Sequence, residues 1–265
     1  LLIRLISMPS WELLFYRGLI PFVFLFILLL LYYKKNFLHS LLITGLPGLF
    51  YAILVALGNI TFVISIQNTN VANTLIMIAL TPFTTAILSS IFLKEHPSKR
   101  MWLTIISCFF VVLFIFYDSY QGNRMFGDFF GLLTAILIGG SAVVVRYSKL
   151  VNFLPSLLIA KLLTLVLPIL FIQSFPESLI IDLREFYLII VMGICLFIAL
   201  SFITLAPRYI PAYEVEIFFV LETILGPLWV WLIIYEQPTT KTIIGGTCII
   251  LIIMSHTLSE LRKKN

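Results

Sequence analysis

Glu222 sits about halfway along an apolar run at 211–234, with no lysine or arginine within a helical turn or two. An ionisable side chain at the centre of a membrane helix costs roughly 2.5–3.5 kcal/mol, so each one is a functional candidate. Two chemistries suit an isolated carboxyl there: carrying a proton, or pairing with a substrate amine. The plainer alternative is a carboxyl bonded to hydroxyls or to backbone freed by a nearby helix break. Glu214 lies two turns or so below Glu222, about 80° around the helix, where it could line a cavity beside Tyr213. Glu216 points elsewhere and is expected to be an interfacial carboxylate paired with a cation such as Arg208. Arg17 could bind a substrate carboxylate, or reach the interface along its own apolar stem. Lys161, deep in another apolar run, could pair with a carboxylate in the same way. Trp229, Trp231, Phe218 and Phe219 offer surfaces for stacking on a planar or cationic solute. Aromatics are 15% of the chain, however, so most of them pack or face lipid.

Two copies of one unit carry these residues. Positions 80–93 read L-T-P-F-T-T-A-I-L-S-S-I-F-L and are followed at once by K-E-H-P-S-K-R. Positions 221–234 read L-E-T-I-L-G-P-L-W-V-W-L-I-I and are followed by Y-E-Q-P-T-T-K. Setting Glu95 on Glu236 also sets Pro97 on Pro238, Leu80 on Leu221 and Arg100 on Lys241, with one constant offset. The same offset places Asn73 against Glu214 and Thr81 against Glu222, so a site between the copies is polar on one side and acidic on the other. Asn73, Thr74, Thr81, Thr84 and Thr85 could hydrogen-bond a solute. Alternatively, their hydroxyls bond back to their own helix around the Pro82 kink.

Composition fixes the setting. Of the 265 residues 61% are hydrophobic and only 11% charged, against roughly 25% charged in soluble domains. Mean hydropathy is +1.12, which places the chain among helical membrane proteins. The net charge of +5 is no nucleic-acid footprint, because its cations cluster between apolar runs as topology signals. Cys108, Cys195 and Cys248 each stand alone, and His39, His96 and His256 lie at span ends. The spacing therefore suggests neither a metal site nor a disulfide framework.

Stepping along the chain at about 20 residues per span gives helices at 11–33, 40–66, 71–93, 101–117, 128–148, 153–175, 186–206, 211–234 and 242–258. The opening 1–6 reads as the last turns of a further helix, which makes ten. The polar stretch 118–128 divides a first repeat, 1–120, from a second, 127–260. If the helices alternate sides, eleven cations fall on one face and three on the other: Arg124, Arg184 and Lys241. The positive-inside rule then puts the C-terminus and the 34–39 loop in the cytoplasm. Five helices per repeat, an odd number, invert the second repeat in the membrane, an arrangement that sets substrate sites near the midplane between halves.

Pro82 and Glu95, Pro211-Ala212-Tyr213-Glu214-Val215, Leu221-Glu222 and Glu236 give the chain a resemblance to the EamA-type members of the drug/metabolite transporter superfamily. The likeness covers nearly the whole chain and includes Arg17, which matches an arginine of that family. It implies an all-α integral membrane protein of ten helices in two inverted repeats. It also implies transport of small organic metabolites, such as amino acids or related solutes, across the bacterial inner membrane. Partners are then the solute and the bilayer, with the protein a monomer or a homodimer and no cofactor required. One departure stands out: Thr223 occupies the place of the usual proline after the helix-nine glutamate. Pro227 follows four residues later, so that helix break is expected about one turn further on.

The rivals are a multidrug or toxic-metabolite exporter of the same fold, a lipid flippase, an intramembrane enzyme and a channel. No G-x-x-x-x-G-K-[ST] loop is present to drive ATP-powered pumping. No nucleophile–base arrangement stands out either, so the chain is not expected to be an enzyme.

Overall fold

The computed structural model describes residues 6, 10–69, 71–116, 125–169, 183–220, 225, 231–232, 235 and 240–264. The expected opening stub, the 118–124 part of the repeat boundary, and most of the second helix-and-loop copy, Pro227 included, lie outside the described residues. Among those described, all regular structure is helical. The helices are α1 (Ser10–Tyr33), α2 (Phe37–Ile43), α3 (Gly45–Asn68), α4 (Val71–Ile78) and α5 (Thr81–Leu88). They continue with α6 (Lys99–Phe116), α7 (Met125–Tyr147), α8 (Leu154–Ile169), α9 (Leu183–Leu205), α10 (Ala212–Phe219) and α11 (Thr240–Lys264).

Five helical stretches are long and apolar enough to cross a bilayer: Trp11–Ile43, Gly45–Ile66, Thr74–Leu93, Met125–Tyr147 and Leu183–Arg208. Two shorter apolar helices accompany them, Leu154–Leu167 and Ile243–His256. Large apolar side chains cover the outside of the bundle, with Leu46 81% exposed. Hydrocarbon, rather than water, is the solvent that tolerates such a surface.

The single helix expected over 40–66 is instead two, α2 and α3. The chain leaves the α-helical path at Lys34 (φ 49°) and again at Gly45 (φ 55°), which isolates seven residues between the two long spans. Glycine reaches a positive φ at little cost, so Gly45 is where the break is cheapest. Another difference concerns 71–93, which is not one helix but α4, a turn at Ala79 and Leu80, α5, and a π-helical turn over Ser89–Leu93.

Apolar driving force is weak between helices in lipid, so close approach and small polar links hold the bundle. Helices α3 and α7 pack together, as do α1 with α8, α3 with α8, α9 with α1, α4 and α5 with α7, and α10 with α5. Hydroxyl pairs also tie α3 to its neighbours: Ser65 with Thr74 of α4 at 2.8 Å, Thr61 with Thr134 of α7 at 2.8 Å, and Tyr51 with Thr204 of α9 at 2.7 Å. The α1–α8 seam is backbone against backbone, since a β-carbon on Gly18 would stand 2.8 Å from the Leu165 nitrogen. Nothing flexible can yield there. Gly18→Val is therefore expected to overpack the seam by about 2 kcal/mol. Thermal unfolding of the purified variant in detergent checks this: an unchanged melting temperature would show the seam to be looser than its geometry.

Candidate functional site

The break between α4 and α5 follows from Pro82. A proline has no N–H to offer the carbonyl four residues back, which here is Ile78. The Thr81 hydroxyl takes over that duty and donates to the Ile78 carbonyl at 2.6 Å. Thr84 donates to the Thr81 carbonyl at 3.0 Å and across the seam to the Ala135 carbonyl at 3.1 Å. Thr74 is bonded to Ser65. Three of the threonines offered by the sequence as solute contacts are thus engaged in holding the break. Thr85 is different: its buried hydroxyl oxygen has no hydrogen-bond partner.

Tyr213 is brought to the same region. It packs with Ala86, Met101, Ile105 and Ile217 in one buried cluster. Glu214, beside it, is half-buried, and its N–H donates to the Pro211 carbonyl at 3.0 Å. Asn73 lies on α4, and its side chain falls outside the described residues, as does Glu222. The sequence misplaced Glu216. It is only 2% exposed, not interfacial, and Arg208 instead donates to the Lys149 carbonyl at 2.8 Å. Helical spacing separated Glu216 from Glu214 but gave no sign that neighbouring helices would cover its face.

A second constellation sits at the seam of α1, α3 and α8, which all touch one another. Arg17 precedes the close-packed Gly18, and its guanidinium lies over the Phe62 ring of α3, 5.3 Å from the ring centroid. Lys161 lies one turn before Leu165, the residue that Gly18 meets, and is 1% exposed. Arg17 is near enough for the two positive charges to repel. Among the described residues no carboxylate forms an ion pair with Lys161. A lysine as deeply buried as Lys161 makes a strong attraction for an anion.

Glu95 and Arg146 join the two halves of the chain at one end of the bundle. Arg146 Nη2 lies 2.9 Å from Glu95 Oε1, and its Nε donates to both carboxylate oxygens at 3.0 and 3.1 Å. Lys94, in the left-handed region at φ 56°, ends the π turn and redirects the chain just before Glu95. The sequence marked Glu95 as part of the repeat and Arg146 as a topology signal. A partner 51 positions away leaves no periodic trace. Among the described residues no group of three histidine, cysteine or acidic side chains could hold a metal. A groove of about 930 Å³ between α3, α5 and α7 is lined by Leu46, Phe50, Phe92 and other apolar groups; its chemistry suits hydrocarbon rather than a polar solute.

Replacing Thr81 by valine leaves the Ile78 carbonyl unsatisfied, at an expected cost of about 1–3 kcal/mol, whereas Thr81→Ser keeps the hydroxyl. Melting curves of the two variants separate a structural hydroxyl from a solute contact, because the latter would leave both stabilities at the parent value. The Glu95–Arg146 pair is partly exposed, at 33% and 15% for the two side chains. Its single removal by Glu95→Gln is therefore expected to cost no more than about 1 kcal/mol. The charge-reversed double variant Glu95→Arg/Arg146→Glu should recover most of that loss.

Residues 2–117 match the model of the EamA-like transporter family. The pseudopaline exporter CntI of Pseudomonas aeruginosa, from strains UCBPP-PA14 and PAO1, is 22% identical to this chain over 257 residues in both cases. The match spans 92% of this chain and 85% of the exporter. A solved crystal structure superposes with a TM-score of 0.76, covering 95% of this chain and 89% of its own at 15% identity; the fold is shared. With a helical bundle faced by apolar side chains and the motif of Pro82 and Glu95, the chain is similar to the EamA-type transporters over residues 2–117 and, along most of its length, to a membrane exporter.

Proposed function

We propose that this protein is a secondary transporter that moves small carboxylate-bearing metabolites, amino acids or their relatives, across a bacterial inner membrane by alternating access. The observation that carries the substrate class is the Arg17–Lys161 pair. A lysine buried to 1% exposure beside a second cation is costly unless an anion joins it, and a solute carboxylate is such an anion. Arg17 is suited to hold it because its planar guanidinium can offer two parallel donors. An amino group on the same solute would find its partner in Glu222 or Glu214, with Tyr213 and Asn73 lining the path between.

The architecture in this reading is ten helices in two five-helix repeats, 1–120 and 127–260, the second inverted, with the C-terminus cytoplasmic. The constant offset between the two helix-and-loop copies supports it. Rocking of one repeat against the other would open the α1–α8 seam to each side in turn. Export is favoured over import by the exporter named among the relatives. A multidrug or toxic-metabolite exporter of the same fold would recognise shape and apolar area instead, and Lys161 would then be unnecessary.

The test is a thermal-shift screen of the purified full-length protein against free amino acids and the matching amino-acid amides. Free acids should stabilise the protein and amides should not. Lys161→Met should weaken the best acid at least tenfold, a loss of about 1.4 kcal/mol. Its unliganded form is expected to melt no lower than the parent, because replacing a buried charge by an apolar group of similar size is often neutral or stabilising. Equal stabilisation by acids and amides would sink the carboxylate reading.

A further inference from the structure

The residue that the expected pattern does not use, Glu216, is among the most deeply buried side chains of the described bundle. Its surroundings can be read from the packing. Helices α5 and α7 run in parallel, since Met77 meets Gly131, Thr85 meets Gly139, and Glu95 meets Arg146 in succession. Helix α10 runs against both: Ala212 packs with Ala142 and Val143 of α7 and with Leu88. Glu216 lies four residues beyond Ala212, so it stands on the same stripe of α10 about one turn higher. One turn back from Leu88 along α5 is Thr85, and one turn back from Val143 along α7 is Gly139. All three arrive at one depth.

The α5 hydroxyls at that depth and one turn from it are unsatisfied. Thr85 Oγ1 and Ser89 Oγ, four residues apart on one face of the helix, are buried with no hydrogen-bond partner. Among the described residues Glu216 has no hydrogen bond or ion pair. Helix α11 meets the same stripe of α10 at Val220, through Ile249 and Ile253, and carries Cys248 and, bonded to Thr104, His256. Positions 81–93 and 129–145 contain no titratable side chain. At the ends of α7, Asp128 accepts from Thr69 and Arg146 is held by Glu95. Arg208, on the short turn after α9, is held by Lys149. From α6 come Met101 and Ile105, with Cys108 the nearest titratable group along that helix and Lys99 and Arg100 exposed at its start. On α10 itself the titratable neighbours are Tyr213 and Glu214. A buried carboxylate without a counter-charge is driven to take up a positive one.

We propose that Glu216, with the Thr85 hydroxyl level with it and the Ser89 hydroxyl one turn further along the same face of α5, is a proton-loading site that couples solute movement to the transmembrane proton gradient. A proton is the smallest cation that neutralises the carboxylate, and the protonated group gains one O–H donor on the side of the helix where Thr85 lacks a partner. Helix α10 bears Glu216 on one stripe and the Tyr213–Glu214 region on the next, so loading and solute binding share one moving element. This inference rests on the transporter reading for its coupling, but not for the protonation itself.

Two measurements on the full-length protein separate those layers. Infrared difference spectra of the protein in lipid, recorded from alkaline to acid pH, should show the C=O stretch of a protonated carboxyl that is missing in Glu216→Gln. The double variant Thr85→Val/Ser89→Ala should keep that band but shift its frequency, which also serves if Glu216→Gln fails to fold. A band untouched by either variant overturns the proton site. A band removed by sodium ions at constant pH overturns it too, in favour of a sodium site. In proteoliposomes loaded with a pH dye, an equimolar mixture of the proteinogenic amino acids should drive a proton flux that Glu216→Gln abolishes. A flux that survives in the variant overturns the coupling. If the parent protein moves no amino acid at all, the transport reading of substrate class fails by itself, and the infrared result still decides Glu216.

Discussion

Hydrocarbon offers no hydrogen bonds, so every polar group inside this bundle must find its partner within the protein. That constraint accounts for most of the buried hydroxyls. Ser40, Thr44, Thr61, Thr81 and Ser141 each donate to a carbonyl three residues back along the chain. Thr134 and Tyr51 reach across to other helices. Among the described residues a few groups then remain without a protein partner: Thr85, Ser89 and Ser156 among the hydroxyls, and Lys161 and Glu216 among the charges. In water such a remainder would mean little. In a membrane it marks the places where something else must arrive.

The remainder falls into two separate places, and their charges are opposite. Lys161 and Ser156 belong to α8, with Arg17 across the seam on α1. Glu216, Thr85 and Ser89 gather where α5, α7 and α10 meet. The first place attracts an anion and the second a cation. Separation matters physically, because a lysine and a glutamate in one dry pocket would neutralise each other and leave no use for a ligand. Tight seams keep them apart: Gly18 lets α1 and α8 approach to backbone contact, and Gly139 gives room for the Thr85 hydroxyl.

Much of this was legible in the sequence. The apolar runs, the break at Pro82 and the placing of Lys161 deep in a span needed only periodicity and composition. Hydroxyls bonded back around the proline were one of two readings that the sequence left open, and Thr81 and Thr84 do bond back in this way. What escaped was whatever depends on a neighbour far along the chain. Glu216 was read as interfacial because its own helix gave no clue that α5 and α7 would enclose it. Arg208 was matched to a carboxylate by proximity in sequence, yet a carbonyl at Lys149, 59 positions away, takes its Nε. The short α2 was hidden inside an apolar run, since the break before it comes from Lys34, a residue with no preference for positive φ.

Glu95 shows how one residue can obey both a local and a global demand. Locally it follows Lys94, whose left-handed conformation turns the chain out of the π-helical end of its span. Globally it reaches Arg146 at the end of α7, and α7 runs parallel to α5 with the break-holding Thr84 bonded to it midway. The bent span is therefore tied to α7 at its middle and at its end, but not at Thr85 and Ser89, the one stretch between where hydroxyls stand without partners. Helix α10 lies against that stretch. A bundle fixed on both sides of an unsatisfied polar step can change there at small cost, because no protein hydrogen bond has to break first. Motion of α10 against α5 and α7 would break no hydrogen bond of the Thr85 or Ser89 side chains, and Glu216 is the charged group that such a motion would carry.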